Sequence, residues 1–198
     1  MRVAPLRIVL WQGIFLPGCE WCELASVDDG WRIAGTVLAA VEGEPARIEY
    51  AIALDDDWST REVTIDSQRG LDPRHERLRL TVDPEQRWYV ERDTVGGSAA
   101  EEIAALRGLI DVDLGFSPMT NTLPIRRLAP AIGEAVDVTA AWVRFPELML
   151  APLSQRYIRL DERRYRYESR DGAFTAELVV DDLGLVITYE GGWRRIAG

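Results

Sequence analysis

The sequence predicts an all-β protein, an antiparallel sheet that curls into a barrel or a sandwich. Two observations carry this. Apolar and polar residues alternate with period two over much of the chain, and turn-forming clusters interrupt the alternation at hairpin spacing. A third, 198 residues with 47% hydrophobic and 28% charged content, fits one globular domain over 1–198 with a core of its own.

Taken in order, residues 6–15 read as a first strand. In 47–55, Ile48, Tyr50, Ile52 and Leu54 share one face, opposite Arg47, Glu49 and Asp55. In 77–82, Leu78, Leu80 and Val82 oppose Arg77, Arg79 and Thr81. One short helix is expected near 99–107, where Ser98-Ala99-Ala100-Glu101 forms a capping box and Gly108 can end it. Gly96-Gly97 before it suits a joint between two sub-sheets. Alternation resumes at Ile110, Val112 and Leu114 against Asp111 and Asp113, then in 174–180 and 185–190. The turns between these runs are Asp28-Asp29-Gly30, Glu42-Gly43-Glu44-Pro45, Asp55-Asp56-Asp57, Asp83-Pro84-Glu85, Arg170-Asp171-Gly172 and Asp181-Asp182-Leu183-Gly184.

Composition excludes several chemistries. All 23 basic residues are arginine, so a Schiff-base or P-loop lysine is absent. One His and two Cys cannot supply a four-ligand structural zinc site, and no metal or other cofactor is expected. A formal net charge of -10 opposes nucleic-acid binding. No apolar run is long enough to form a transmembrane segment. Residues 1–19 loosely imitate a lipoprotein signal, but Gln12 and Gly13 interrupt the apolar run and Pro17 stands where a small residue is wanted. A cytoplasmic protein is therefore expected, with an exported lipoprotein-like form as the alternative. Its oligomeric state is not read from the sequence.

Several clusters invite a functional reading. Cys19-Glu20-Trp21-Cys22 has redox spacing, yet on a strand residues i and i+3 face opposite sides. Asp111 and Asp113 share a strand face about 7 Å apart, a spacing found in inverting acid–base pairs, although a polar-lumen or salt-bridged role is the stronger reading. In Thr120-Asn121-Thr122-Leu123-Pro124-Ile125-Arg126-Arg127, an extended return antiparallel to 110–114 would put Asn121 and Arg127 on one face and Thr122 and Arg126 on the other. Arginine grips carboxylate or phosphate, and Asn with Thr suits sugar hydroxyls. An internal Asp–Arg pair explains the same residues. Residues 155–170 interleave arginines with Tyr157, Tyr165 and Tyr167 and read as a hairpin turning at 160–163. His75 lies in a polar turn, and no G-x-S-x-G elbow accompanies it. Trp58, Trp142 and Trp193 are either core residues or the wall of an apolar pocket.

The block Ile110-Asp111-Val112-Asp113-Leu114 followed by Pro118-Met119-Thr120-Asn121-Thr122-Leu123-Pro124-Ile125-Arg126-Arg127-Leu128 resembles a bacterial glycolipid-binding family once labelled a domain of unknown function. The resemblance extends to Glu20-Trp21-Cys22, Gly30-Trp31 and Asp57-Trp58-Ser59-Thr60-Arg61. It continues through Gln155-Arg156-Tyr157, Tyr165-Arg166-Tyr167-Glu168 and Gly191-Gly192-Trp193-Arg194-Arg195. It implies a curved, barrel-like antiparallel sheet around an elongated cavity, shaped like bacterial lipoprotein carriers, and a lipid or glycolipid ligand. The expectation is non-enzymatic binding, with Asp111, Asp113, Thr120, Asn121, Thr122, Arg126, Arg127, Tyr157, Trp58 and Trp193 as ligand contacts. A hydrolase using Asp111 and Asp113, or a partner-binding module with a filled core, are the alternatives.

Overall fold

A computed structural model describes residues 6–71, 76–92 and 99–198. The chain begins as a meander of long strands, each antiparallel to the next: β1 (Arg7–Gly13), β2 (Gly18–Val27), β3 (Gly30–Val41), β4 (Glu44–Leu54), β5 (Thr60–Arg69), β6 (Glu76–Val82) and β7 (Trp88–Arg92). The two-residue β8 (Glu101–Glu102) pairs with β7 and forms one edge. β9 (Val112–Leu114) forms the other edge and runs parallel to β10 (Ala135–Arg144). From β10 the meander resumes through β11 (Met149–Arg159), β12 (Arg164–Ser169), β13 (Phe174–Val180), β14 (Val186–Tyr189) and β15 (Trp193–Ala197). β15 pairs with β1, which joins the two halves in the middle of one sheet of fifteen strands among the described residues.

The alternation explains these strands. On β4, Ile48, Tyr50, Ile52 and Leu54 are buried, while the intervening Arg47 and Glu49 are exposed. β6 and β13 carry the same pattern, with Leu78 and Leu80, and with Ala176, Leu178 and Val180, turned inward. The Asp- and Gly-rich clusters fall at strand boundaries, with Gly30 opening β3 and Glu44-Pro45 opening β4. The turn after β11 begins at Leu160, and Tyr165 and Tyr167 of β12 face inward opposite an outward Arg164 and Arg166. Cys19 and Cys22 are free thiols on opposite faces of β2.

β8 and β9 do not pair with each other, so the sheet is strongly curved but open. Residues 103–128 bridge the gap along its concave side. Ile103 N donates to Trp88 O at 2.8 Å, and the Trp88 indole donates to Leu109 O at 2.8 Å. Thr60 N donates to Ile110 O, and Val112 N returns a bond to Thr60 Oγ1. The hydroxyl of Thr122 donates to Gly184 O on the opposite half. Leu106, Val112, Leu114, Phe116, Met119 and Leu123 of this segment are buried with Trp11, Ile33, Ile48 and Trp88 of the sheet. A smaller core lies against β11–β14, around Tyr157, Tyr165, Tyr167, Leu178 and Val186.

Two expectations need correction. The one short helix is not at 99–107. Glu101 and Glu102 pair with Val90 and Tyr89, and only Ala104–Leu106 makes a 3₁₀ turn. A helix of nine residues is marginal without tertiary support, and the open edge of β7 offers hydrogen bonds that win. Ser98 of the expected capping box, the Gly96-Gly97 joint and the His75 turn lie outside the described residues.

The segment carrying Thr120, Asn121, Thr122, Arg126 and Arg127 is likewise not an extended return strand. It forms a 3₁₀ turn at Pro118–Asn121 and then α1 (Thr122–Leu128). Ser117 caps the turn by accepting from Met119 N, with Pro118 at the first position where no donor is missed. Pro124 falls within the first turn of α1, where the ring fits without breaking a helical bond.

Candidate functional site

The sheet and α1 bring Asp111, Asp113, Asn121, Arg127 and Tyr157 together on the concave side of β9–β11. Asp111 precedes β9 and is only 1% exposed. Arg127 grips it with both forks, Nε to Oδ1 at 3.1 Å and Nη2 to Oδ2 at 2.5 Å. Burial pushes the Asp111 carboxyl up, and Arg127, by hydrogen bond and charge, pulls it back. Both oxygens are thus committed to one guanidinium. That is poor geometry for a general acid or base, whose carboxyl must exchange a proton with substrate or water.

Asp113 differs. It lies two residues further on, inside β9, partly exposed, and has no arginine partner among the described contacts. Its Oδ2 accepts from Gln155 Nε2 on β11. Burial raises its pKa to about 6, against the lowering effect of that bond. Gln155 Oε1 in turn accepts from the Tyr157 hydroxyl at 3.3 Å, which also lies 3.1 Å from Asn121 Oδ1. Tyr167 packs on Tyr157 with ring centroids 5.1 Å apart, and Tyr189 packs on Tyr167 at 6.0 Å. Burial above all pushes the three phenols above their ordinary range, and the Asp113 charge adds to it for each. The result is one ionisable carboxyl and one carboxamide beside a tyrosine wall, with the Asp111–Arg127 pair behind.

The remaining expected contacts sit elsewhere. Thr120 Oγ1 accepts from Leu114 N and Thr122 donates to Gly184 O, so both hydroxyls hold the backbone in place. Arg126 is exposed and stacks over Trp58 at 5.3 Å, which itself stacks on Trp31 at 4.7 Å. Trp193 is buried against Gly13 in the larger core. Trp142 faces Asp113 in the β9–β10 register and is covered by Arg144 and Arg170 at 5.3 and 5.5 Å. Three grooves of about 580, 520 and 710 Å³ lie on the sheet, and none is lined by Asp111, Asp113, Asn121 or Arg127.

A second polar cluster lies in the larger core. Glu20 on β2 has no exposed surface. Its Oε1 accepts from Tyr50 Oη and from Ser117 Oγ at 2.7 Å, while Oε2 has no partner among the described residues. Burial raises Glu20 to about 8, against the lowering effect of the Tyr50 and Ser117 bonds. Cys22 Sγ is 3.4 Å from the same phenol. Tyr50 lies across Gly35 of β3, where a Cβ would come within 2.4 Å of the ring. The sequence signal was available: Glu20 is in phase with the buried Cys22 and Leu24, an acid in the inward register of a strand.

Comparison with known proteins places this architecture. A search of curated proteins finds no match. A crystal structure of a DUF1089 family protein from Pseudomonas aeruginosa is 33% identical and superposes with a TM-score of 0.75, covering 89% of this chain and 92% of that one. A beta-barrel-like protein of the DUF1849 family from Brucella abortus shares the fold with a TM-score of 0.59 at 8% identity, over 100% of this chain and 97% of that one. Residues 8–195 match the family model described as "Putative glycolipid-binding". The chain belongs to that family.

Proposed function

We propose that this protein binds a lipid or glycolipid without chemical turnover. The polar head group is held at Asp113 and Gln155 against Tyr167 and Tyr189. The observation that carries this is the contrast between two neighbouring carboxylates. Asp111 is locked to Arg127, whereas Asp113 keeps partial exposure beside a carboxamide and two aromatic rings. A carboxylate and a carboxamide offer acceptors and donors to sugar hydroxyls, and aromatic faces pack on the apolar side of a pyranose. The family description points to the same ligand class.

The locked Asp111 also argues against hydrolysis by an Asp111–Asp113 acid–base pair. Native mass spectrometry of the purified protein, with extraction of bound lipid, tests the proposal. A lipid-sized adduct is expected, and Asp113→Asn combined with Gln155→Ala should weaken its retention at least about tenfold, the loss of two charge-assisted or neutral hydrogen bonds. A clean apo mass, with no thermal shift on adding glycolipids, overturns the reading in favour of a filled-core module.

A further inference from the structure

Beside Asp113 the sheet gathers three hydrogen-bond donors that lack an acceptor. Trp142 of β10 is the cross-strand neighbour of Asp113. Its indole lies against Gly115, where a Cβ would come within 3.0 Å of Nε1. Gly115 follows Asp113 by two residues and continues the ladder by donating to Val143 O at 3.1 Å, so the indole stands on the Asp113 side of β9. The guanidinium of Arg144, two residues along β10, lies 5.3 Å from the centre of the ring. That of Arg170, just after β12, lies 5.5 Å from it. Both arginines are exposed and the indole is partly so. Among the described residues, none of the three side chains has a hydrogen-bond acceptor or an ion-pair partner.

Acids are not scarce. The chain holds 33 of them against 23 basic residues, and other arginines on the sheet are paired: Arg61 with Asp55, Arg79 with Glu62, Arg164 with Asp161. The acids nearest to the two arginines in sequence are Glu147 and Asp171, and among the described contacts neither pairs with them. Asp171 lines the groove of about 520 Å³ with Asp137, Arg156 and Glu168, whose side chains alternate to the face opposite Val138, Gln155 and Tyr167.

We infer that Trp142, Arg144 and Arg170 take the phosphate of a lipid whose head-group hydroxyls are held at Asp113 and Gln155, an assignment that rests on the ligand proposed above and narrows it to an anionic phospholipid with a polyol head group. Guanidinium forks bind phosphate oxygens in pairs, and the indole N–H adds a further donor. Cation–π attraction holds both forks on one ring, so they are placed before the ligand arrives. Two positive charges on one ring repel each other, and a phosphate relieves that repulsion. Asp113 pairs with neither arginine and accepts from Gln155, so phosphate and hydroxyl contacts fall at separate places on one head group.

Isothermal titration calorimetry of the full chain tests this with dihexanoyl phosphatidylglycerol, octyl glucoside and inorganic phosphate, the two lipids kept below their micelle points. Phosphatidylglycerol is expected to bind at least about tenfold more tightly than octyl glucoside, and to weaken as salt is raised. Arg144→Gln combined with Arg170→Gln should lower its affinity at least about tenfold and abolish the preference. Arg163→Gln combined with Arg166→Gln removes the same charge from exposed positions, Arg166 on the face of β12 opposite Tyr167, and should leave that affinity unchanged. All of these variants should keep the circular dichroism spectrum of the wild type. Asp113→Asn combined with Gln155→Ala should weaken both lipids. Equal affinity for the two lipids overturns the inference and leaves the ligand reading standing, as does an Arg144 and Arg170 double variant that binds phosphatidylglycerol like the wild type. Inorganic phosphate binding as tightly as phosphatidylglycerol also overturns it and assigns the arginines to the free ion. Binding of neither lipid removes the ligand reading and this inference with it.

Discussion

At Glu20 a carboxyl has been placed where only its protonated form is comfortable. Two hydroxyls donate to Oε1, so the proton belongs on the unpartnered Oε2. Below pH 4.5 the group is protonated in both folded and unfolded chains, and its burial adds no pH dependence. Above that, the unfolded chain releases a proton that the folded chain retains until about pH 8, so stability falls as pH rises through this window. The loss across the window is about 4–5 kcal/mol at 1.36 kcal/mol per unit. Glu20→Gln keeps both incoming hydrogen bonds on its carbonyl oxygen. Urea denaturation at either limit should show the wild type losing more stability from acid to mildly basic pH than the variant, whose remaining fall comes from Asp113. Equal falls would show that the Glu20 carboxyl ionises freely in the folded state. Composition and alternation do not reveal this behaviour, because it depends on Tyr50 lying over Gly35 and on Ser117 arriving from a distant segment. What the alternation does reveal is the inward phase of Glu20, and an acid in that phase is the legible warning.

Among the elements, the strands were legible and the 103–128 segment was not. Each strand writes its own burial in a two-residue period, and Asp-rich turns end it, so residues 47–55, 77–82 and 174–180 can be placed without knowing their neighbours. The bridging segment is different: its shape is imposed by partners far away in sequence. Glu101 and Glu102 give up helix propensity to the edge of β7, and Thr122 is held by Gly184. The Ser117-Pro118 start of the 3₁₀ turn and α1 was the local signal that the alternation overshadowed. The Asp111–Arg127 pair fastens α1 to β9, and the segment depends on it. Arg127→Met should cost about 3–5 kcal/mol by leaving a buried carboxylate unpaired, whereas Asp111→Leu with Arg127→Met should recover most of the loss. Chemical denaturation of the single and double variants checks this; equal instability of the two would mean that the pair does more than neutralise itself.

Across the whole molecule, the fifteen strands form an open sheet whose two chain ends meet near its middle, at β1 and β15. Protection should therefore grade from the middle outward. Amides in β3 and β4, paired over eleven positions, should exchange slowest, and the edge strands β8 and β9 fastest. Hydrogen exchange resolved by segment checks this, and β8 amides as slow as those of β3 would mean that the edge is sealed after all. The β1–β15 seam has a consequence of its own. Each half of the sheet can form from neighbouring hairpins, but the seam joins strands from the two ends of the described chain and must wait for a very long loop to close, so the halves join late instead of zipping up in sequence order.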